Sequence, residues 1–337
     1  MYKRKAFPLL GALAFSAITM ASPMRRAPDT AAHSVENRYP GHPITLVVTF
    51  PPGGGTDQLA RRLAARLEQS LGQPVVVENK TGASGNIGAL AVARAKPDGY
   101  TLLVVNSSYA INPGVYRNLG FSPQKDLSGV INVAFVPSVL VTKADSHWKS
   151  LRDVLDAGRA QPASAQPAYA SCGNGTPQHL AGEMLMRRAD ATLLHVPYRG
   201  CGPALAGVLA GNVGLGIVTA SSALPHLQAG ALRALAVTSP QRSSLLPDVP
   251  TVAEQGLAGY ELDQWHGLLA PAGTPKDIVE RINSAVASIM QSPDMKLGLQ
   301  ALGYDTTAST AAEFQDMIDE DIARFGKLTR EMGLKVD

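Results

Sequence analysis

The sequence predicts an α/β fold, and two observations carry that prediction. Short apolar, β-branched runs alternate with amphipathic helical segments through residues 44–238, the pattern of strand–helix units that build a sheet flanked by helices, largely parallel. The loops rich in Gly, Ser, Asn and Pro follow the strands, so they fall at strand carboxyl ends, where such sheets bind ligands.

The elements follow in order. Residues 44–49 form an apolar strand. After the turn Phe50-Pro51-Pro52-Gly53-Gly54-Gly55-Thr56-Asp57, Leu59, Leu63, Leu67 and Leu71 recur every fourth position as one helix face, closed by Gly72 and Pro74. A strand at 75–78 leads through the loop 79–86 to a helix over 87–95. Pro97-Asp98-Gly99 is a turn, followed by a strand at 101–105 and the polar loop Asn106-Ser107-Ser108. A strand at 137–142 and a helix over 151–160 precede a Pro/Ala/Ser/Gln-rich link. The pattern resumes with a strand at 168–170, the loop 171–177 and a helix through Arg188. A strand at 193–196 enters the loop 197–203 and a short helix. A strand at 213–218, the loop 219–222, a helix over 223–229 and a strand at 232–238 complete the alternation. A strand at 265–269, a helix to Met290 and a long amphipathic helix over 311–332 close the chain as scaffold.

The ends and the charge bound the function. Lys3, Arg4 and Lys5, an apolar run over 6–20 and the small residues Ala21 and Ser22 read as a secretory signal peptide over 1–21. The run is short for a membrane span, and residues 22–42 read as a flexible leader. About 295 residues remain, enough for one large domain or two ordinary ones. The formal charge of +3 and the lack of a basic, aromatic-interleaved patch argue against nucleic acid. The two cysteines, Cys172 and Cys201, show no metal-ligand spacing. An even count in an exported chain permits a disulfide.

A glycine-rich turn between strand and helix exposes backbone N–H groups at the positive end of the helix, a place for an anion. A Walker loop needs Lys and Ser/Thr after the glycines, and Thr56-Asp57 stand there instead. The dinucleotide fingerprint has its strand order and an acid at Glu78. It would, however, put its third glycine at Gln58, and Asp57 would repel pyrophosphate. A structural turn accounts for one loop, not for five. The reading that remains is a small carboxylate held by amides and hydroxyls.

Here the chain resembles a known family, the Bug-type periplasmic receptors of tripartite tricarboxylate transporters, over nearly all of its mature length. The resemblance rests on Val47-Val48-Thr49-Phe50-Pro51-Pro52-Gly53-Gly54-Gly55-Thr56-Asp57, Gly85-Asn86-Ile87-Gly88, Pro97-Asp98-Gly99-Tyr100-Thr101-Leu102, Val196-Pro197-Tyr198-Arg199-Gly200, Leu246-Pro247-Asp248-Val249-Pro250-Thr251 and Ala270-Pro271-Ala272-Gly273-Thr274-Pro275. It implies a type II-like, two-lobed periplasmic binding protein that closes on a ligand in the cleft between lobes. Lobe 1 would comprise 43–140 with 240–337, and lobe 2 would comprise 141–239. The implied ligand contacts are Phe50, Gly53, Gly54, Asn86 and Ser107 from the first lobe, and Ser171, Gly173, Asn174, Thr176 and Tyr198 from the second. Arg199 stays off that set, His179 and His226 are read as structural, and Trp265 as lobe core.

The implied function is capture of a small carboxylate in the periplasm for the inner-membrane permease subunits, by a monomer with no cofactor, no metal and no enzymatic step. The alternatives are a ligand-sensing adaptor for a signalling system, or a periplasmic enzyme reusing the cleft. Cys172 and Cys201 end strands joined by one helix, so they are expected as neighbours. In the resembling family these positions are usually small polar residues, which favours a pair over two separate buried thiols. Relatives that hold an amino acid place an acid where this chain aligns Val218, with Thr219 following. That implies a ligand without a free amino group.

Overall fold

In the computed structural model, residues 39–160 and 166–336 are described; the signal-peptide segment and most of the leader lie outside them. β1 (Ile44–Val48) runs parallel to β2 (Val75–Asn79) on one side and β3 (Thr101–Asn106) on the other. α1 (Gly55–Leu71) crosses back over them because Leu59, Leu63 and Leu67 form one buried stripe. Gly72 ends the helix in the left-handed region, φ 70°, with its N–H on the Glu68 carbonyl. α2 (Asn86–Ala93) and α3 (Ser108–Val115) follow β2 and β3.

β4 (Leu127–Lys143) is seventeen residues long and serves two halves of the sheet. Along one edge it pairs first with β9 (Asp263–Pro271) and then with β8 (Leu232–Val237). Along the other it pairs first with β10 (Asp305–Thr306) and then with β7 (Leu215–Thr219). β5 (Ala168–Ser171) and β6 (Leu194–Pro197) extend the second half in parallel beyond β7. The strand order is β2-β1-β3-β9-β4-β7-β5-β6, with β8 and β10 on β4. The second half carries α4 (Leu151–Arg159), α5 (Pro177–Ala189), α6 (Cys201–Leu209) and α7 (Ala220–Gln228). The chain returns through β9 to α8 (Lys276–Gln291), α9 (Pro293–Gln300) and α10 (Ala311–Glu331). Reciprocal capping boxes start α4 at Ser150/Asp153 and α10 at Thr310/Glu313.

Three expectations need correction. The sheet is mixed, since every pairing of β4 and β9 is antiparallel. The strand expected at 137–142 begins at Leu127. Pro137 pairs with Asp263 at the last β9 rung, and from Ser138 the partners are β7 and β8. A residue without an N–H is tolerated where one ladder ends and the next begins. Finally, α7 starts at Ala220 rather than 223, and α3 and α9 were not foreseen; α3 is short and contains Pro113.

Candidate ligand site

The loops after β1, β3, β5, β6 and β7 line one cavity of about 430 Å³, with β9 and the segment around Tyr304 as its floor. Three helices of eight residues or more begin on it: α1 at Gly54–Thr56, α6 at Gly200–Gly202 and α7 at Thr219–Ser222. Among the described residues, no Lys, Arg, Asp or Glu lines it. Its positive potential therefore comes from helix ends rather than fixed cations.

Asp57 shapes the glycine loop. Its buried carboxylate accepts from the Gly53 N–H at 2.9 Å, Arg61 Nε at 2.9 Å and Asn79 Nδ2 at 2.9 Å. Burial alone would raise this carboxyl; the bonds from Arg61, Gly53 and Asn79 outweigh it and hold it below the usual carboxylate range. Asn79 also donates to the Phe50 carbonyl at 2.9 Å. Gly54 donates to the Pro51 carbonyl at 3.3 Å. The Gly53 and Gly54 amides are thus used within the loop. The next two amides, of Gly55 and Thr56, have no acceptor among the described residues. Gly55 permits a close approach: a Cβ there would stand 2.4 Å from the Tyr304 hydroxyl and 2.8 Å from Ser221 Oγ. The starts of α1 and α7 therefore meet at Tyr304.

At α7, Ser221 Oγ donates to Thr219 Oγ1 at 3.1 Å, which donates to Ser222 Oγ at 2.8 Å. The floor is a chain of side chains. Gln178 Nε2 donates to Ser138 Oγ and to Gln264 Oε1, both at 2.8 Å. That assigns the Gln264 amino group to His266 Nε2, 3.3 Å away, and Thr56 Oγ1 reaches the same nitrogen at 3.1 Å. His266 Nε2 is then the acceptor and its proton sits on Nδ1. Full burial drives this imidazole down to about 3, so it is neutral.

Phe50, Gly53 and Gly54 line the cavity, and the other seven expected contacts do not. Asn86 accepts from Asn112 Nδ2 at 2.8 Å. Ser107 is buried and stitches β3 to β9, exchanging bonds of 3.1 Å with Trp265. Ser171 Oγ contacts His195 Nε2 at 2.7 Å and accepts from the Gly173 N–H at 3.1 Å. Thr176 caps α5 and donates to the Gly173 carbonyl at 2.7 Å. The Asn174 carbonyl accepts from Ser84 Oγ and from the Tyr116 hydroxyl. Tyr198 covers Gly207 on α6. Asn86, Gly173 and Asn174 thus converge through Ser84, joining the loops after β2 and β5 next to Cys172, which does line the cavity.

Arg199 is exposed and off the lining; His226, read as structural, is on it. Val218 is in the core and Thr219 faces the cavity. Trp265 is buried and donates to Asp321 at 2.8 Å. Gln178, Gln264, His266 and Tyr304 were not singled out from the sequence. For Gln264 and His266 a signal existed: polar residues at period two in an otherwise apolar strand share one face. Cys172 and Cys201 are joined in a disulfide, Cα–Cα 4.4 Å, at the ends of the parallel neighbours β5 and β6.

A family model described as the tripartite tricarboxylate transporter family receptor (TctC) matches residues 59–334. The chain is 37% identical over 308 residues to protein BugT of Bordetella pertussis, covering 91% of this chain and 94% of BugT. It is similar to the solved structure of R. palustris Rpa4515 with adipate, with a TM-score of 0.84, 35% identity, and coverage of 88% of this chain and 100% of that one. It is also similar to the structure of the periplasmic binding protein BugD, with a TM-score of 0.82, 32% identity, and coverage of 88% and 100%.

Proposed function

Because the chain belongs to the tripartite tricarboxylate transporter receptor family, we propose that it captures a small carboxylate in this cavity and presents it to the permease subunits of such a transporter. The observation that carries this reading is the convergence of three helix N-termini on a cavity that, among the described residues, no lysine, arginine or carboxylate lines. Each N-terminus presents roughly half a positive charge and unbonded amides. Together they match an acceptor-only anion without the desolvation cost of burying a counter-cation.

The two sheet halves act as lobes, 43–140 with 240–337 against 141–239, that close on the ligand by bending where β4 changes partners. Support comes from Thr238, whose hydroxyl joins Ser138 to Leu262 at that point, and from the Ser84–Asn174 contact between the halves. The protein works in the periplasm as a monomer after loss of residues 1–21. It binds without chemistry: its Ser171–His195 pair is off the cavity lining, with Ser171 fully buried.

Calorimetry with succinate, adipate, citrate and benzoate tests the reading, with mass spectrometry of the recovered ligand. One-to-one binding of a carboxylate returned unchanged is the expected result. Failure of the whole panel to bind, or turnover of the ligand, overturns it.

A further inference from the structure

We propose that Tyr304 is a ligand-binding residue, its hydroxyl donating to a carboxylate oxygen lodged between the first turns of α1 and α7. The proposal rests on the carboxylate-receptor reading above and adds to it a specific donor, contributed from outside the strand-end loops.

Tyr304 is 1% exposed, yet its hydroxyl makes no hydrogen bond of good geometry within the protein. Burial pushes the phenol up, and Ser221, the one described side chain near enough to act on it, lowers it by less. Buried hydroxyls are paired in native proteins as a rule, and an unpaired one is costly. The ring alone would serve packing, and a phenylalanine would supply that without the cost. Tyr304 is also a lining residue of the cavity. Its place there is fixed by the close approach at Gly55, where a Cβ would stand 2.4 Å from the hydroxyl and 2.8 Å from Ser221 Oγ. Its ring stands edge-on to His266, centroids 5.2 Å apart at 85°, and its N–H bonds to the Leu299 carbonyl at 3.0 Å.

Donors predominate around that point. The amides of Gly55 and Thr56 are unused donors. Ser221 spends its proton on Thr219, and burial keeps the Tyr304 phenol protonated. The two unused amides and the phenol O–H are three donors, which suit a carboxylate, whose two oxygens take several hydrogen bonds. The helix starts give the field, and the unpartnered, buried tyrosine marks the spot.

The test uses the full mature chain, the same four-acid panel, and two variants. Tyr304→Phe keeps the ring and removes the donor. Gly55→Ala keeps the donor but puts a Cβ 2.4 Å from it, so the Tyr304 and Ser221 side chains must shift away from the amides. The expected result is affinity for the tightest-binding acid of the panel reduced tenfold or more in both variants, with the melting temperature of Tyr304→Phe within a few degrees of the parent. Parent-like affinity in Tyr304→Phe overturns the proposal and leaves the receptor reading standing, as does parent-like affinity in Gly55→Ala. If the parent binds none of the four acids, the receptor reading itself fails and this proposal falls with it.

Discussion

Thr56 Oγ1 lies 3.1 Å from His266 Nε2, although 210 residues separate them in the chain. Through Gln264 and Gln178 the contact continues to Ser138 on β4. The first turn of α1 is therefore bonded, beneath the cavity, to the strand shared by both sheet halves. The imidazole works as an acceptor there, which requires it to be neutral.

That requirement predicts an acid-sensitive fold. His266 and His195 are both driven down to about 3, His266 by burial and His195 by burial and then by His179. Between about pH 6.5 and 3 the unfolded chain binds protons that the folded chain refuses, so stability falls as pH falls through that window. For a fully buried imidazole the loss is on the order of several kcal/mol near pH 3. Asp263 opposes it: burial, then Asp305 and Glu261, raise it to about 6, so the folded state takes up its proton first and gains stability from pH 6 down to about 4. Urea titrations at a series of pH values should show His266→Gln with a flatter acid limb. Asp263→Asn should be more stable than the parent at pH 7, by roughly 1–3 kcal/mol.

The same floor marks the boundary of what the sequence disclosed. β1 and α1 were legible because a β-branched run and leucines at four-residue spacing are local signals. The loop after β1 was legible because glycines between strand and helix have few uses. The floor was not. Gln264 and His266 come from a strand that inserts between β3 and β4 from far along the chain, and Tyr304 arrives from a turn after α9. No local pattern says which faces will meet. Asp57 was legible as an acid unsuited to pyrophosphate, but not as the group that occupies the Gly53 amide.

Asp57→Ala should destabilise the protein by roughly 2–4 kcal/mol, because it leaves the Gly53 amide, Arg61 and Asn79 without their shared acceptor. It should also weaken ligand binding by loosening the loop that presents Gly55 and Thr56. Chemical denaturation paired with calorimetry separates the two effects. A stable variant with parent-like affinity would contradict the structural role given to this carboxylate.

The Cys172–Cys201 bond closes a loop with a sequence separation of 29. Chain entropy assigns such a loop roughly 3–4 kcal/mol. The Cys172→Ser/Cys201→Ser double variant should lose about that much, and the parent, unfolded without reductant, should titrate no free thiol. Two titratable thiols in the exported protein would refute the linkage.

The ligand should carry no free amino group. Val218 is in the core, and Thr219, which faces the cavity instead, bears no charge. An ammonium in a cavity lined by no Asp or Glu loses solvation with no carboxylate to replace it, at a cost of several kcal/mol. Calorimetry with aspartate and glutamate beside succinate and adipate should show tighter binding of the unaminated acids. Micromolar binding of an amino acid alone would overturn the inference.

The position of β9 has a kinetic consequence. It is the middle strand of the first sheet half, between β3 and β4, but follows both in the chain and is made after the second half, which ends at Val237. Once Val237 is made, every strand of the second half has its partners within the chain already synthesised. The first half must hold β3 and β4 apart, their facing edges unpaired, until residues 263–271 emerge. Such non-local pairing makes for slow folding. A chain stopped before residue 263 loses the centre of a sheet rather than a surface layer. The nascent protein accordingly stays incompletely folded until most of its length exists.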